Sequence, residues 1–178
     1  MTLSLQTQEY EIHAAFDLPA SSDPVYAWGN DPKVPLLITQ ENGQRWLGQF
    51  EAGGLGTGWT DMVRTPSPFH CCVVLDGRAY VVDVRQPAST LQIPGDSIAE
   101  INNDAGDVVT LLMSPIDIVG ICADGGYWRS ERVASDQIRG ISVSWPFVVG
   151  EGWMAYNDSW VKFRLDARTG MKAEQMKE

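Results

Sequence analysis

Hydrophobic and polar positions alternate along several parts of the chain, the pattern typical of half-buried β-strands. The first run predicts that Ile12, Ala14, Phe16 and Leu18 face a core, while Glu11, His13, Ala15 and Asp17 face solvent. Two later runs repeat the pattern, with inward-facing positions predicted at Ile141, Val143, Trp145, Val161, Phe163 and Leu165. Alternation of this kind favours antiparallel sheets with one face packed on a core and the other exposed to solvent.

Short turn signals separate the alternating runs. The clearest is Asp76-Gly77, between the β-prone runs 71–75 and 78–84. A two-residue hairpin turn needs positive φ at both central residues, and Asp-Gly provides this at low cost. Similar signals stand at Asn42-Gly43, Asp124-Gly125 and Thr169-Gly170.

The pattern predicts one all-β domain over residues 1–178, built from antiparallel hairpins. Further strands are expected near 36–39, 45–50, 97–102, 107–113, 116–122, 127–133, 138–144, 147–154 and 159–165. Residues 51–68 are expected to form a connection without strands, and residues 171–178 a short tail with weak helical character. Packed, sandwich-like sheets are the preferred arrangement. The late turn signals recur about every 45 residues, so an incomplete propeller-like stack of blades is the alternative.

Composition and charge limit the classes of partner that the protein is expected to bind. The apolar fraction is 44%, as in ordinary folded proteins, and the net charge is −10. A negative surface repels nucleic acid and anionic membranes and favours basic proteins. The first Lys or Arg is Lys33, and no apolar run approaches the roughly 20 residues of a membrane span. These features predict a cytoplasmic protein.

His70, Cys71 and Cys72 are adjacent, which raises nucleophilic or metal chemistry as a possibility. Neighbours on a strand point to opposite faces, so a disulfide between the two cysteines is not expected. A structural metal needs about four ligands, and His13 and Cys122 are the remaining His and Cys. Packed, reduced thiols are therefore the preferred interpretation, with no metal and no cofactor.

Two loops resemble ligand-binding motifs without completing them. Gly53 to Thr60 has the spacing of a phosphate-binding loop, but Trp59 stands where the lysine is required. Asn102 to Asp107 lacks the alternating acids and late Glu of a calcium loop. Both are predicted to be connecting turns.

Carboxylates and aromatic residues are the remaining candidates. A pair of acids could act on a glycosidic bond if a cleft held them at a set distance; the acids considered are Asp61, Asp83, Asp117, Glu131 and Asp136. Seven Trp is a high count for this length. Such residues usually fill the core or cover strand edges, but a cluster on one exposed face could anchor a protein partner or stack on sugars. The candidate binding residues are Trp59, Trp128, Trp153, Tyr156 and Trp160, with Trp145 nearby.

The last third of the chain has a recognisable outline. An apolar strand precedes Asp124-Gly125, Trp128 and Ser130-Glu131-Arg132. The outline continues through Gly150-Glu151-Gly152-Trp153 to Trp160-x-x-Phe163-x-Leu165-Asp166-x-x-Thr169-Gly170. This outline resembles the closing region of a group of uncharacterised bacterial all-β proteins. Asp136-Gln137 departs from it, since Asp-Gly is expected there. The resemblance implies a β fold and no particular activity.

The sequence therefore favours a non-enzymatic cytoplasmic interaction protein with an acidic surface. One version is an immunity-type inhibitor of a basic toxin such as a nuclease, because opposite charge speeds encounter. The alternative is an enzyme acting on carbohydrate or another small ligand, with a carboxylate pair beside a Trp-lined groove. Self-association through exposed strand edges is a third possibility.

Overall fold

The computed structural model of the protein describes residues 3–15, 22–54, 59–103 and 107–173. Sixteen β-strands and one 3-10 turn, at Pro87–Ser89, form its regular structure, and the described residues contain no α-helix. The strands form four sheets that follow one another along the chain. The all-β prediction is confirmed.

The first sheet has five strands in the order β1-β2-β4-β5-β3. Its strands are β1 (Ser4–Gln6), β2 (Tyr10–Ala14), β3 (Val25–Trp28), β4 (Val34–Gln40) and β5 (Arg45–Phe50). All pairings are antiparallel except β3 with β5, which is parallel. The Asn42-Gly43 turn joins β4 to β5 as predicted, with Gly43 at φ +80°.

The second and third sheets are four-stranded meanders in chain order. The second comprises β6 (Asp61–Arg64), β7 (His70–Leu75), β8 (Arg78–Asp83) and β9 (Leu91–Gln92). The third comprises β10 (Glu100–Asn102), β11 (Val109–Met113), β12 (Ile118–Cys122) and β13 (Tyr127–Arg129). Asp76 and Gly77 have φ of 47° and 83°, so the predicted tight turn between β7 and β8 is confirmed.

The fourth sheet is a three-stranded meander of long strands. It comprises β14 (Ile138–Ser144), β15 (Phe147–Met154) and β16 (Ser159–Asp166). After β16 the chain turns at Thr169-Gly170, and Lys172 bridges back to Leu165. The beginning of the tail is therefore extended and not helical; residues 174–178 lie outside the described part.

Three hydrophobic clusters stack the sheets in order. The first cluster joins the first and second sheets, the next joins the second and third, and the last joins the third and fourth. Within the described residues, no buried hydrophobic cluster joins the fourth sheet back to the first. This arrangement of four successive sheets corresponds to the alternative prediction, an incomplete propeller-like stack, and not to one pair of sheets.

Some local predictions were wrong. Strand β6 lies inside the 51–68 segment that was expected to lack strands, and β1 had no sequence prediction. Ala15 is buried, because the chain has left β2 and its N–H donates to the Pro35 carbonyl. Trp145 is 54% exposed, since β14 ends one residue earlier. Phe16 and Leu18 lie outside the described residues, as do residues 55–58 and 104–106 of the two motif-like loops.

Candidate binding surface on the fourth sheet

The fourth sheet covers a core on one face and leaves the other face open. Along β15, Val148, Gly150 and Gly152 are buried and the residues between them are half-buried; Val148 belongs to the cluster shared with the third sheet. Cross-strand register places the open-face residues in rows. We call this set the aromatic–arginine face; its members are Arg139, Ser142, Ser144, Phe147, Val149, Glu151, Trp153, Trp160, Lys162, Arg164 and Asp166.

Trp153 and Trp160 are the centre of this face. They are directly opposite each other on β15 and β16, with ring centroids 5.5 Å apart in an edge-to-face arrangement. The Arg139 guanidinium lies 3.8 Å from the Trp160 ring centroid and also pairs with Glu151 at 2.8 Å. Ring and cation contacts of this kind hold the side chains in place before any partner arrives.

A second cation–aromatic pair extends the face. The Arg164 guanidinium lies 3.5 Å from the Phe147 ring centroid. Lys162 is exposed beside it, directly opposite Glu151. The face therefore combines apolar area with three cations, the central Glu151 and, at its end, Asp166, which pairs with Arg168.

Charge is distributed unevenly along the chain. Residues 1–128 contain sixteen Asp or Glu and five Lys or Arg, a net charge of −11. Residues 129–173, which include the fourth sheet, contain five Asp or Glu and seven Lys or Arg, a net charge of +2. The open face of the fourth sheet thus lies in the part of the chain that is not acidic.

A cleft lies beside this face, between the third and fourth sheets. Its volume is about 370 Å3, and Glu100, Asp136, Arg139 and Trp160 are among the residues that line it. Asp136 belongs to the candidate carboxylates, whereas Glu100 does not. A cleft of this size could accept a small polar ligand.

Trp128, a predicted binding residue, is instead part of the core. It is 8% exposed and donates its indole N–H to the Ala167 carbonyl at 2.9 Å. Gly120 and Gly170 both lie against its ring, where a Cβ would overlap it. The indole therefore joins β13 of the third sheet to the segment after β16, and no surface remains for a ligand.

The other candidates are scattered. Trp59 is half-buried against the cluster between the second and third sheets, far along the chain from the fourth sheet. Tyr156 is 81% exposed in the turn between β15 and β16. Of the five candidate binding residues, the structure brings Trp153 and Trp160 into contact. Arg139, Phe147 and Arg164 were missed, although their two-residue alternation with core positions was visible in the sequence.

The cysteines have the structural role that the sequence favoured. Cys71 belongs to the cluster shared with the first sheet and Cys72 to the cluster shared with the third. Complete burial raises the pKa of each thiol well above its ordinary value. The pKa of Cys122 is also raised, by burial and by Asp124. None of the three environments generates a reactive thiolate.

Folding also brings together Ser67, His70 and Asp83. Ser67 Oγ lies 2.6 Å from His70 Nδ1, and His70 Nε2 lies 3.7 Å from the nearer Asp83 oxygen. Ser67 is 5% exposed, and the other Asp83 oxygen accepts two backbone N–H groups, from Arg85 and Gln86. These contacts close the turns before β7 and after β8, at the open end of the hairpin, so we assign them a structural role.

The remaining candidate acids do not converge. Asp117 accepts a hydrogen bond from the Ser114 hydroxyl in the turn between β11 and β12. Asp61 accepts a hydrogen bond from the backbone N–H of Met62. Glu131 has an 83% exposed side chain near Lys172. Within the ranges that the structure describes, no three His, Cys, Asp or Glu side chains are grouped to hold a metal ion.

Similarity to known proteins is confined to solved structures. No family model and no curated protein matches the chain. Among solved structures the chain is similar to the N-terminal domain of Nup159, at 8% identity and a TM-score of 0.40. The match covers 99% of this chain and 52% of that one, so the chain spans about half of its length.

No helix long and apolar enough to cross a bilayer is present in the described parts of the chain.

Proposed function

We propose that the protein is a non-enzymatic interaction module whose aromatic–arginine face binds another protein. The observation that carries this proposal is the Trp153–Trp160 pair on an open sheet face, with Arg139 stacked on Trp160. Trp and Arg are the residues that most often dominate the energy of protein interfaces. Their rings and guanidinium groups are already packed together, which lowers the entropy lost on binding.

The charge of the face indicates the chemistry of the partner. The face has three cations, Arg139, Lys162 and Arg164, against two acids, Glu151 and the Arg168-paired Asp166. An acidic surface with apolar side chains therefore complements it. The basic partner expected from the net charge of the whole chain would bind the acidic first three sheets and not this face. An immunity-type role against a basic toxin would use that part of the molecule.

Site-specific photo-crosslinking in the source cells tests the proposal. A photoreactive amino acid at Lys162 should form a covalent adduct with a protein partner, whereas one at exposed Asp107 of the third sheet should not. The adduct should disappear when Trp153→Ala and Trp160→Ala are combined. It should persist with Trp145→Ala, which removes an exposed Trp from the β14–β15 turn. Equal adducts at both positions, or none at Lys162, would contradict the proposal.

The cleft between the third and fourth sheets supports a second candidate function. Glu100, Asp136 and Trp160 line it together, which is the arrangement of a carboxylate pair beside an aromatic platform. A neutral oligosaccharide could stack on Trp160 and reach both acids.

Calorimetric titration and hydrolysis assays with neutral oligosaccharides test this candidate. Trp160→Ala should abolish binding, and Glu100→Gln with Asp136→Asn should abolish hydrolysis while binding remains. Asp124→Asn, in a turn of the third sheet, is the matched control and should change neither. Absence of both binding and turnover in the unchanged protein would remove this candidate.

A further inference from the structure

The stack has a second open face, on the first sheet. The alternation along β2, β4 and β5 buries Ile12, Ile38 and Trp46 and turns the residues between them outward. One outward row runs His13, Leu37, Leu47 and Val25 across four strands. We call this surface the first-sheet face; its other members are Glu11, Thr39, Arg45, Pro35, Gln49 and Ala27.

The first-sheet face combines apolar and acidic character. Val25 is 54% exposed, and Leu37 and Leu47 beside it are half-buried. Residues 1–54 contain seven Asp or Glu and two Lys or Arg, a net charge of −5. Glu11 has a 42% exposed side chain on the face, and Glu41 is exposed in the adjoining turn. Arg45 on the face is paired with Asp23 at 2.6 Å. An apolar row with Glu11 on the face and Glu41 at its border complements the cations of the aromatic–arginine face.

The internal interfaces show how such faces are covered in this molecule. Each of the three clusters is formed by one face of a sheet packed on the facing side of the next sheet in the chain. The first-sheet face and the aromatic–arginine face are the two faces of the stack left over by this rule. A further sheet-on-sheet contact of the same kind would join one to the other.

We propose that two copies of the chain close a ring, with the aromatic–arginine face of each copy packed on the first-sheet face of the other. This inference rests on the proposed function, in which the aromatic–arginine face binds protein, and it names the partner as a second copy. Two contacts related by a two-fold axis would then bury both open faces of both chains. The resulting eight sheets lie within the roughly four to eight blades usual in closed propellers.

Complementary charge favours contact between the two different faces over contact between two identical faces. The aromatic–arginine face carries three cations against Glu151 and the Arg168-paired Asp166. The first-sheet face carries Glu11 and an Arg45 already paired with Asp23, in a segment of net charge −5. Contacts between two copies of the same face would oppose like charges, so the mixed contact is favoured. The mixed contact also places the exposed Val25 row against the Trp153–Trp160 pair.

Native mass spectrometry and sedimentation of the whole chain across a dilution series test the proposal first. The expected species has twice the 19.6 kDa mass of the chain, and dilution should convert it to monomer without larger species. A monomer at every concentration would overturn the proposal. An open-ended series of oligomers would overturn ring closure, because the same contact repeated without closing gives a filament.

A charge exchange tests the two faces directly. The combination Lys162→Glu with Arg164→Glu makes the aromatic–arginine face acidic, and Glu11→Lys with Glu41→Lys makes the first-sheet face basic. Each variant alone should dimerise at least about tenfold more weakly than the original chain, since like charges then meet at both contacts. An equal mixture of the two variants should restore dimers, because both contacts regain opposite charges.

The control is Asp107→Lys, an exposed charge reversal between β10 and β11, which should leave the dimer unchanged. Dimers that survive in both charge variants, or a mixture that fails to associate, would show that another surface is used. If the original chain is monomeric but the Lys162 crosslink to another protein depends on Trp153 and Trp160, the second-copy proposal fails and the proposed function stands.

Discussion

The second and fourth sheets are built from similar hairpins but end in different environments. In β7 and β8 nearly every residue is buried, because the first sheet covers one face and the third sheet covers the other. In β15 buried and half-buried residues alternate, and in β16 Leu165 alone is buried, since the third sheet covers one face alone. The only adjacent His and Cys residues lie in the doubly covered sheet, and the contacting Trp pair lies in the singly covered one. Position in the stack, more than residue type, decides which side chains can meet a partner.

The largest expected difference is between a buried Trp of the third sheet, which is also covered on both faces, and a Trp on the open face of the fourth sheet. Trp128→Ala should lower the free energy of unfolding by about 3–5 kcal/mol, because it removes a buried ring and the N–H bond to Ala167. Trp160→Ala, on the open face, should lower it by about 1 kcal/mol. Urea unfolding measures both. Equal losses would mean that the fourth sheet's outer face is as essential to the fold as its core.

A valine in each sheet gives a matched pair of smaller effect. Val74→Ala removes two methyl groups from the fully buried β7 strand and should lower the free energy of unfolding by about 2–3 kcal/mol. Val149→Ala makes the same change on the open face and should lower it by less than about 1 kcal/mol. The comparison fails if the two valines give the same change in urea midpoint.

The smallest expected effect concerns an ion pair at the start of β8. Arg78 donates two hydrogen bonds to Asp96, at 2.7 and 2.6 Å, and lowers the pKa of that carboxyl below its ordinary 3.8. A lowered folded-state pKa stabilises the fold above the unfolded pKa, and this contribution is lost as pH falls through the folded value. Between about pH 5 and pH 2, the unfolding free energy of the original chain should therefore fall more than that of Asp96→Asn.

The fourth sheet supplies the control for this measurement. Glu151→Gln removes the acid from an exposed pair with Arg139 and should change stability little at neutral pH. Parallel pH profiles for the original chain and Asp96→Asn would show that the Arg78 pair does not contribute to stability.

Local signals predicted the hairpins well. Asp76-Gly77 and the alternation of Val161, Phe163 and Leu165 act between neighbours in sequence, so they could be interpreted without knowledge of the fold. Strand β6 escaped prediction because its four residues follow a glycine-rich segment that masks their pattern. The parallel pairing of β3 with β5 depends on contacts between distant segments, which no local pattern contains.

The candidate site was predicted in part. Trp153 and Trp160 were among the candidates, but their contact follows from the β15–β16 register. Trp128 was assigned to the surface because no sequence signal shows that Gly120 and Gly170 leave room for its ring. The net charge changes from negative to weakly positive near residue 128. This change is visible in the sequence and distinguishes the acidic surface of the first three sheets from the aromatic–arginine face.

The sharing of clusters between successive sheets has a consequence for synthesis on the ribosome. The core beneath the first sheet takes Cys71, Val73 and Tyr80 from the second sheet, and extends to Val84. The nascent first sheet therefore has no complete hydrophobic core until about thirty residues beyond β5 have left the exit tunnel. Each later sheet then packs on a neighbour that has already emerged, so the chain should acquire protease resistance in steps as it lengthens.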